Sequence, residues 1–596
     1  MGVHDGGLEG RGLNFYLVDK DLERVLRRSL GPEPYRRAEP LLVRMGELSG
    51  GPIDRQAEYT DRLARPVLET YDRQGNVVNE VRYNPLYEES VRQVYGLGTI
   101  GCNYGEKPLP YVVHFALLYL LSESDPGLAC PVTLTASTAY VLARHGSDEQ
   151  KARHLPLLAV REEGEFADGA TFVTEKQGGS DAGLATTEAR EVPAGELSSA
   201  RRAFGPGQGQ LVRLYGEKWF ASNADADLAL VTARPSGGPD GTRGLGLYLM
   251  PRRLADGSPN AYRIRRLKDK LGTTGLATGE LELDGALAEL VTPAPDGFKH
   301  MLEALEFSRI ANAAASAGIH RRVYLEAKLY AEGRMAFGAP LSRHSMVQQT
   351  IVTMLAELRA STTLAFEAAV ALDAATANPA VPVIAWHRLT TALAKYRTGE
   401  LAVRNASRAI EVLGGNGYVE EYVTARMYRE AQVLPVWEGP ANIQALEVLR
   451  TLTPRWRSDL VMARRVEEVA VAAAADPRSR QMADLLQRRW REAEGAIAWI
   501  AEHPAAAPEH ARRLADFLSE ILEFLLVLEE AVEGLQEGDE RDLVVAWWLA
   551  GLYLAPAPAH GLGEDLSWLA PIYDRLTAGQ RLTGVALPDL PVEVGI

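Results

Sequence analysis

The stretch Thr174-Glu175-Lys176-Gln177-Gly178-Gly179-Ser180-Asp181 lies where helix-like sequence gives way to strand-like sequence. It follows the short strand-like run Ala170-Thr-Phe-Val-Thr and combines two glycines with hydroxyl side chains. Glycines let the backbone approach a ligand closely, and hydroxyl and N–H donors suit an anionic or carbonyl acceptor. The stretch therefore indicates a loop that holds a phosphate or a polar ring edge, or alternatively a plain turn with a Ser-Asp helix cap.

The sequence before this stretch is rich in helical patterns, and the sequence after it is rich in strand patterns. Residues 1–168 show apolar spacing near 3.6, which predicts an N-terminal α-helical domain that includes a long buried helix starting at Pro131. Residues 169–292 contain short alternating or β-branched runs between Gly, Pro and Asp clusters. They predict a middle domain of antiparallel strands with a mobile polar loop at 191–210.

Helical patterns return after residue 293 and continue to the end of the chain. Residues 293–453 predict a C-terminal α-helical bundle of four long amphipathic helices, at about 300–333, 342–376, 382–413 and 440–452. Residues 454–596 predict an additional helical extension. The expected fold class is therefore α+β, in the order helices, sheet, bundle and extra helices.

Composition limits the classes of function. The 596 residues carry a formal net charge of −15, which argues against a nucleic-acid surface over the whole chain. The two cysteines, Cys102 and Cys130, are too few for a disulfide framework or a thiolate metal site, which fits a cytoplasmic protein. The 11 histidines show no H-E-x-x-H or Cys/His spacing, so no metal is expected. No apolar run reaches the roughly 18–20 residues of a membrane span.

Six short segments occur in a fixed order along the chain. They are Thr174-Glu-Lys-Gln-Gly-Gly-Ser-Asp181, Gly216-Glu-Lys-Trp-Phe-Ala-Ser-Asn223, Lys268-Asp-Lys-Leu-Gly272, Arg334-Met-Ala-Phe-Gly338, Glu411-Val-Leu-Gly-Gly-Asn-Gly-Tyr418 and Trp437-Glu-Gly439. Together, on an α–β–α pattern, they resemble the acyl-CoA dehydrogenase family over about residues 10–452. Lys176-Gln177, Leu267-Lys-Asp-Lys-Leu-Gly and Cys130-Pro-Val-Thr are most similar to its AidB branch, bacterial alkylation-response flavoproteins.

The resemblance implies an FAD site built from two subunits, and it implies a homotetramer assembled as a pair of dimers. The residues that match positions of the family near FAD are Val173, Thr174, Gly179, Ser180, Phe220, Ser222, Arg334, Phe337, Glu411, Gly414, Gly415 and Asn442. Thr174 would meet the pyrimidine edge of the flavin and Ser180 the pyrophosphate, whereas Arg334 would bind the pyrophosphate of a neighbouring subunit. Core packing for Phe220 and a solvated helix end for Arg334 are the alternatives.

The resemblance also implies a catalytic base. Oxidation of an acyl thioester at its α and β carbons needs a group that removes the α proton, and a carboxylate suits this role if burial raises its pKa. Glu438 matches the glutamate of most family members, with an ordinary acid at a helix N-terminus as the alternative. Arg309 and Gly439 would lie by the acyl-CoA substrate, and an electron-transfer flavoprotein is a candidate electron acceptor.

Several positions depart from the family and support a second hypothesis. Pro440 stands where the family has Ser or Thr after Glu-Gly, and Thr274 replaces a common arginine, which bears on turnover more than on FAD binding. The alternative function is a stress-response flavoprotein that binds DNA or a protein with little turnover. Residues 455–596 contain 14 Arg, no Lys and 24 acids, a net of −10, so only a local arginine patch such as Arg488, Arg489 and Arg491 could meet an anionic partner.

Overall fold

A computed structural model of the protein describes residues 9–555 and 566–590. The helices are α1 Phe15–Val18, α2 Lys20–Leu30, α3 Pro32–Leu48, α4 Asp54–Leu63, α5 Pro85–Gly96, α6 Tyr111–Ser122, α7 Pro126–His145, α8 Asp148–Leu158, α9 Leu197–Phe204, α10 Gly297–Gly333, α11 Ser345–Ala377, α12 Val381–Leu413, α13 Val423–Ala431, α14 Ala441–Thr451, α15 Ser458–Ala474, α16 Arg480–Glu502, α17 Ala507–Gln536, α18 Arg541–Leu549 and α19 Leu569–Thr577. The strands are β1 Val67–Tyr71, β2 Val77–Arg82, β3 Gly169–Phe172, β4 Glu188–Glu191, β5 Leu211–Ser222, β6 Leu228–Pro235, β7 Gly246–Pro251, β8 Tyr262–Leu267, β9 Thr278–Thr292, β10 Met335–Ala336 and β11 Ala339–Pro340.

The described residues form two compact units. The helical unit takes its residues from Met1–Gly50, Pro110–Glu123 and Asn312–Ile596, and the sheet unit consists of Gly51–Leu109 and Ser124–Ala311. The predicted α+β class is confirmed, with N-terminal helices, a central sheet, a helical bundle and further C-terminal helices. The predicted domain boundaries at residues 168, 292 and 453 stay predictions.

The sheet unit is built around seven strands in the order β3-β6-β4-β5-β9-β7, with β8 paired to β9. Strand β6 also pairs with β7, so the hydrogen bonding closes on itself. Antiparallel pairs dominate as predicted, but β3 and β4 both run parallel to β6. Alternation along a strand specifies which face is buried and not the direction of its partner, so the sequence pattern could not reveal the parallel pairs.

Two local predictions were wrong. Helix α7 begins at Pro126, because the Asp125 side chain caps Leu128 N–H, and Pro131 lies inside the helix. The loop predicted to be mobile at 191–210 contains α9, and Phe204 of α9 is buried in a small apolar cluster with Leu211. A β-hairpin of β1 and β2 lies between α4 and α5 of the N-terminal part, a detail that the sequence pattern did not reveal.

Helix α7 also bears on the expectation of no membrane span. This helix is long and apolar enough to cross a membrane, whereas the sequence pattern predicted no segment of that kind. In the structure 83% of its most apolar window is buried within the protein, as in the core helix of a folded domain.

Within the helical unit, buried ion pairs connect the C-terminal extension to the bundle. Arg359 of α11 donates to Glu530 of α17 and to Asp542 of α18, and Arg541 of α18 donates to Asp21 of α2. Arg359 and Arg541 are almost fully buried. A buried charge that loses its partner is strongly destabilising, so these ion pairs bind α17 and α18 to α2 and α11. The extension is therefore a part of the helical unit.

Candidate active site

The buried side chain of Glu175 holds the bend at 174–181 in place. Two backbone hydrogen bonds between Glu175 and Gly178 close the turn. The buried carboxylate accepts bonds from the N–H and hydroxyl of Thr186 at 2.7 and 3.0 Å, and from the N–H and hydroxyl of Thr187 at 3.2 and 2.6 Å. It also accepts a bond from Lys218 Nζ at 2.9 Å. This set of donors fixes the bend after β3 in one conformation.

Lys218 and Glu175 form an ion pair whose two side chains have 0% exposure. Lys218 of β5 also donates to the carbonyl oxygens of Val173 at 3.3 Å and Thr232 at 2.9 Å, so its three N–H groups are satisfied. Both residues lie inside family segments, but they are 43 positions apart and nothing in the sequence indicated that they pair. They are positioning residues that sequence reasoning missed.

The ion pair predicts acid sensitivity of the sheet unit. Burial alone would raise the pKa of Glu175, but the Lys218 charge and the Thr187 hydroxyl outweigh it and lower the pKa from 4.5 to about 2. A lowered acid pKa contributes stability above the ordinary pKa that is lost as pH falls towards the folded value, and a shift of this size corresponds to about 3 kcal/mol. We therefore expect unfolding followed by tryptophan fluorescence to show a loss of this order between pH 4.5 and about 2. A Glu175→Gln variant should lack this component, and an equal pH dependence in both proteins would contradict the assignment.

The exposed side of the bend presents an aromatic ring and two open hydroxyls. Trp219 N–H donates to the Thr174 carbonyl at 2.9 Å, which places the end of β5 beside the bend. Phe220 next to it is 57% exposed, and Lys268 Nζ lies 4.6 Å from the centre of its ring. Because this ring is exposed, core packing does not explain Phe220. Within residues 9–555 and 566–590, the hydroxyls of Thr174 and Ser180 make no hydrogen bond.

Gly179 and Ser222 complete this face. A Cβ atom at Gly179 would meet only the Thr174 methyl group, at 3.8 Å, so the space beside the bend is open. The half-buried Ser222 hydroxyl lies 3.4 Å from the Thr278 hydroxyl. An exposed aromatic ring, partly exposed hydroxyls and an open glycine suit a flat heteroaromatic ring with a polar edge and a phosphate tail. These residues therefore fit a flavin nucleotide.

A second group lies at one end of the helical unit. Phe337 is 97% exposed at the tip of the β10–β11 hairpin, with φ of 51°, and Gly338 follows with φ of 84°. A fully exposed phenylalanine with strained backbone is costly unless it meets a partner. Arg334 directly precedes the hairpin, at the end of α10. The pair thus offers a cation and an aromatic ring on one short projection.

The loop after α12 lies close to the same end of α10. Asn416 Nδ2 donates to the Tyr330 hydroxyl at 3.1 Å, which joins the segment 414–418 to α10. Among the residues that the structure describes, a Cβ atom at Gly414 or Gly415 would have no heavy atom within 4 Å apart from its own chain neighbours. Glu411 is exposed one turn earlier. Gly414 has φ of 64° and needs glycine for its backbone, whereas Gly415 has neither a positive φ nor a close neighbour. Open backbone at Gly415 suits the approach of a ligand.

The third group is the turn that carries Glu438. Glu438 has φ of 58° and Gly439 has φ of 95°, immediately before Pro440 at the N-cap of α14. Two buried side chains hold this turn: Lys395 Nζ donates to the Gly439 carbonyl at 2.6 Å, and Gln444 Nε2 donates to the Glu438 carbonyl at 3.0 Å. A non-glycine residue with such a φ costs about 1–3 kcal/mol and persists only where its surroundings impose it.

Lys395 and Gln444 were not recognised in the sequence. Gln444 lies six residues after Glu438, but Lys395 is 44 residues from Gly439, and no motif marks either residue. Asn442 is exposed in the first turn of α14, two residues after Pro440. Hydrogen bonds to the backbone of the turn therefore fix the position from which the Glu438 side chain extends. The Oε2 atom of that side chain is shielded from solvent.

The remaining predicted residues are less informative. Arg309 is half-buried on α10 in the sheet unit, beside the buried Ser308. In the arginine patch of the extension, Arg489 donates to the Leu554 carbonyl and to Glu492. Arg488 and Arg491 line a groove of about 440 Å³ that also contains the acids Asp484 and Asp589. The groove is therefore mixed in charge.

Three family models match successive parts of the chain. Residues 9–162 match the adaptive response protein AidB N-terminal domain, 170–286 the acyl-CoA dehydrogenase middle domain, and 295–453 the acyl-CoA dehydrogenase C-terminal domain. The chain is 33% identical to acyl-CoA dehydrogenase family member 11 of Caenorhabditis elegans over 471 residues, 76% of this chain and 73% of that protein. It is 30% identical to the putative acyl-CoA dehydrogenase AidB of Escherichia coli K12 over 451 residues, 74% of this chain and 78% of that protein.

A solved structure agrees with the sequence relatives. The crystal structure of C. elegans ACDH-11 in complex with C11-CoA superposes with a TM-score of 0.82 at 29% identity, covering 92% of this chain and 93% of that one. This coverage extends beyond residue 453 and so includes helices of the extension. The chain belongs to the acyl-CoA dehydrogenase family, within its AidB-like branch.

Proposed function

We propose that this protein is an FAD-dependent acyl-CoA dehydrogenase that removes one hydrogen from each of the α and β carbons of an acyl thioester, with Glu438 as the base. The observation that carries the proposal is the strained turn of Glu438, which Lys395 and Gln444 hold in place. A carboxylate on such a turn can take the α proton without reorganising its own backbone. FAD, when bound, supplies the two-electron acceptor for the hydride of the β carbon.

The residues for the cofactor fall into the groups described above. Thr174 and Ser180 would donate hydroxyl hydrogens to the ring edge and the pyrophosphate, and Phe220 would cover one face of the ring. Arg334 would bind the pyrophosphate and Phe337 would pack by the adenosine half of FAD in a second copy of the chain, so the proposal requires at least a dimer. The near-complete exposure of Phe337 supports this role.

Phe337→Ser should weaken FAD binding by about tenfold or more, because an exposed aromatic contact with a ligand ring is worth about 1–3 kcal/mol. The measurement is equilibrium binding of FAD to deflavinated protein by fluorescence. Tyr71→Ser is the matched control, since Tyr71 is 60% exposed on β1 and belongs to no predicted site. Equal affinities of the two variants would remove Phe337 from the cofactor site.

The substrate class is proposed as a fatty acyl-CoA. C. elegans ACDH-11 was solved with C11-CoA, so an acyl-CoA of that length is the first probe. The test is incubation with the acyl-CoA and an artificial electron acceptor, followed by mass spectrometry of the thioester. A product that has lost two hydrogen atoms is expected, and an unchanged thioester across a series of chain lengths would refute the activity.

Other features implied by the family stay predictions. They are the homotetramer, an electron-transfer flavoprotein as acceptor, and a cytoplasmic location. Binding of DNA or of a protein by the extension also stays a prediction. The engagement of Arg489 by Leu554 and Glu492, and the acids beside Arg488 and Arg491, give it no specific support.

A further inference from the structure

Two histidines and a glutamate from distant parts of the chain meet within the sheet unit. His145 ends α7, and His300 and Glu303 lie one turn apart at the start of α10. His145 Nε2 is 2.9 Å from Glu303 Oε2, and the two imidazole rings are stacked with centres 3.5 Å apart. One ligand atom from each of the three side chains lies within 4.8 Å of the others.

The side chains of this cluster are of types that bind divalent cations. A neutral imidazole and a carboxylate are ligands of zinc and related divalent metals. The ordinary alternative is a hydrogen bond between His145 and Glu303 with a stacked second ring.

A supporting contact orients His300. Its Nδ1 atom is 2.9 Å from the Thr292 hydroxyl, which leaves Nε2 as the nitrogen that can face an ion. Histidines that ligate metals usually bond through their other nitrogen in this way, and the bond fixes the ring and its tautomer. The site thus has three ligand groups and one supporting residue.

We propose that His145, His300 and Glu303 bind a divalent ion of the zinc class. Two histidines and a glutamate are the protein ligands of some catalytic zinc sites. Here His300 and Glu303 are separated by two residues on one helix. Zinc ligands lie about 2.0–2.2 Å from the ion, so on binding the two rings would turn out of their stacked arrangement until both ligand nitrogens point at the ion. All three residues are partly exposed, which leaves a fourth position for water. The ion would tie α7 to the start of α10.

Arg144 gives the proposal a distinctive test. Its Nε atom lies 3.0 Å from the same Glu303 Oε2 atom, so its charge competes with a metal for the carboxylate. Removing Arg144 should therefore tighten metal binding, whereas removing a ligand should weaken it. An ion pair without a metal site predicts neither effect. Arg144 is 40% exposed in its side chain, so its replacement leaves the core intact.

The experiment uses the purified full-length flavoprotein, cleared of metals with a chelator and titrated with Zn²⁺ by calorimetry. About one ion per chain is expected. His300→Asn and Glu303→Gln should each weaken the affinity at least about tenfold, and Arg144→Gln should increase it. His503→Asn is the control, because His503 stacks on the exposed Trp499 in the helical unit, and it should have no effect. Equal affinity in all variants, or no saturable binding to the wild type, would overturn the proposal.

Discussion

Glu438→Gln is expected to keep FAD bound and to slow reduction of the flavin by acyl-CoA by about 10²–10⁴-fold. The amide is nearly isosteric with the carboxylate but cannot accept the α proton. The contacts that hold the turn come from Lys395 Nζ and Gln444 Nε2 to backbone carbonyls, so they survive the substitution. The loss should therefore appear in the rate of reduction, with the flavin content unchanged.

The rate is measured by stopped-flow mixing with acyl-CoA without oxygen. Glu468→Gln is the matched control, because Glu468 is exposed on α15 and its replacement removes the same charge outside the predicted sites. The variant should reduce at the wild-type rate. If Glu438→Gln also reduces at that rate, the base is another residue and the family alignment at this turn is misleading.

Lys218→Met is expected to destabilise the sheet unit by about 3–5 kcal/mol, because it leaves the buried Glu175 carboxylate without its partner. The same carboxylate orders the bend through Thr186 and Thr187, so weakened FAD binding should accompany the loss. The measurement is chemical denaturation followed by tryptophan fluorescence, with FAD release recorded in parallel.

The double variant Glu175→Gln/Lys218→Met separates the pair from the individual groups. A neutral glutamine avoids an unpaired buried charge, so the double variant should be more stable than Lys218→Met alone. Arg266→Met is a control for loss of a cation on the surface, since Arg266 is 68% exposed where it meets Glu280. It should cost at most about 1 kcal/mol. A Lys218→Met variant as stable as this control would contradict the account of the bend.

The sequence predicted elements well where local chemistry decides them. The long helices predicted at about 300–333, 342–376 and 382–413 are α10, α11 and α12, and their bounds differ from the predicted ones by at most three residues. The start of α7 was misplaced because Pro126 and Pro131 both precede apolar residues, and the cap of Asp125 decides between them. Motif order identified the family, since six segments in sequence carry more information than any local pattern.

What could not be predicted depends on contacts between distant residues. Three contacts join positions that no spacing rule connects. They are the ion pair of Glu175 with Lys218, the hydrogen bond from Lys395 to the Gly439 carbonyl, and the contact of His145 with Glu303. Such contacts exist only once the sheet has closed or the helices have packed. Phe337 shows the reverse case, because its matching motif was visible in sequence and only the structure revealed its 97% exposure.

The central claim is tested most directly by the visible spectrum of the purified flavoprotein on addition of acyl-CoA without oxygen. Chain lengths around that of C11-CoA should be included, since ACDH-11 was solved with that ligand. The account predicts that the absorbance of oxidised flavin falls on mixing and that an enoyl thioester forms in equal amount. A flavin spectrum that stays unchanged across the series, in protein that has retained its FAD, would contradict the assignment as an acyl-CoA dehydrogenase.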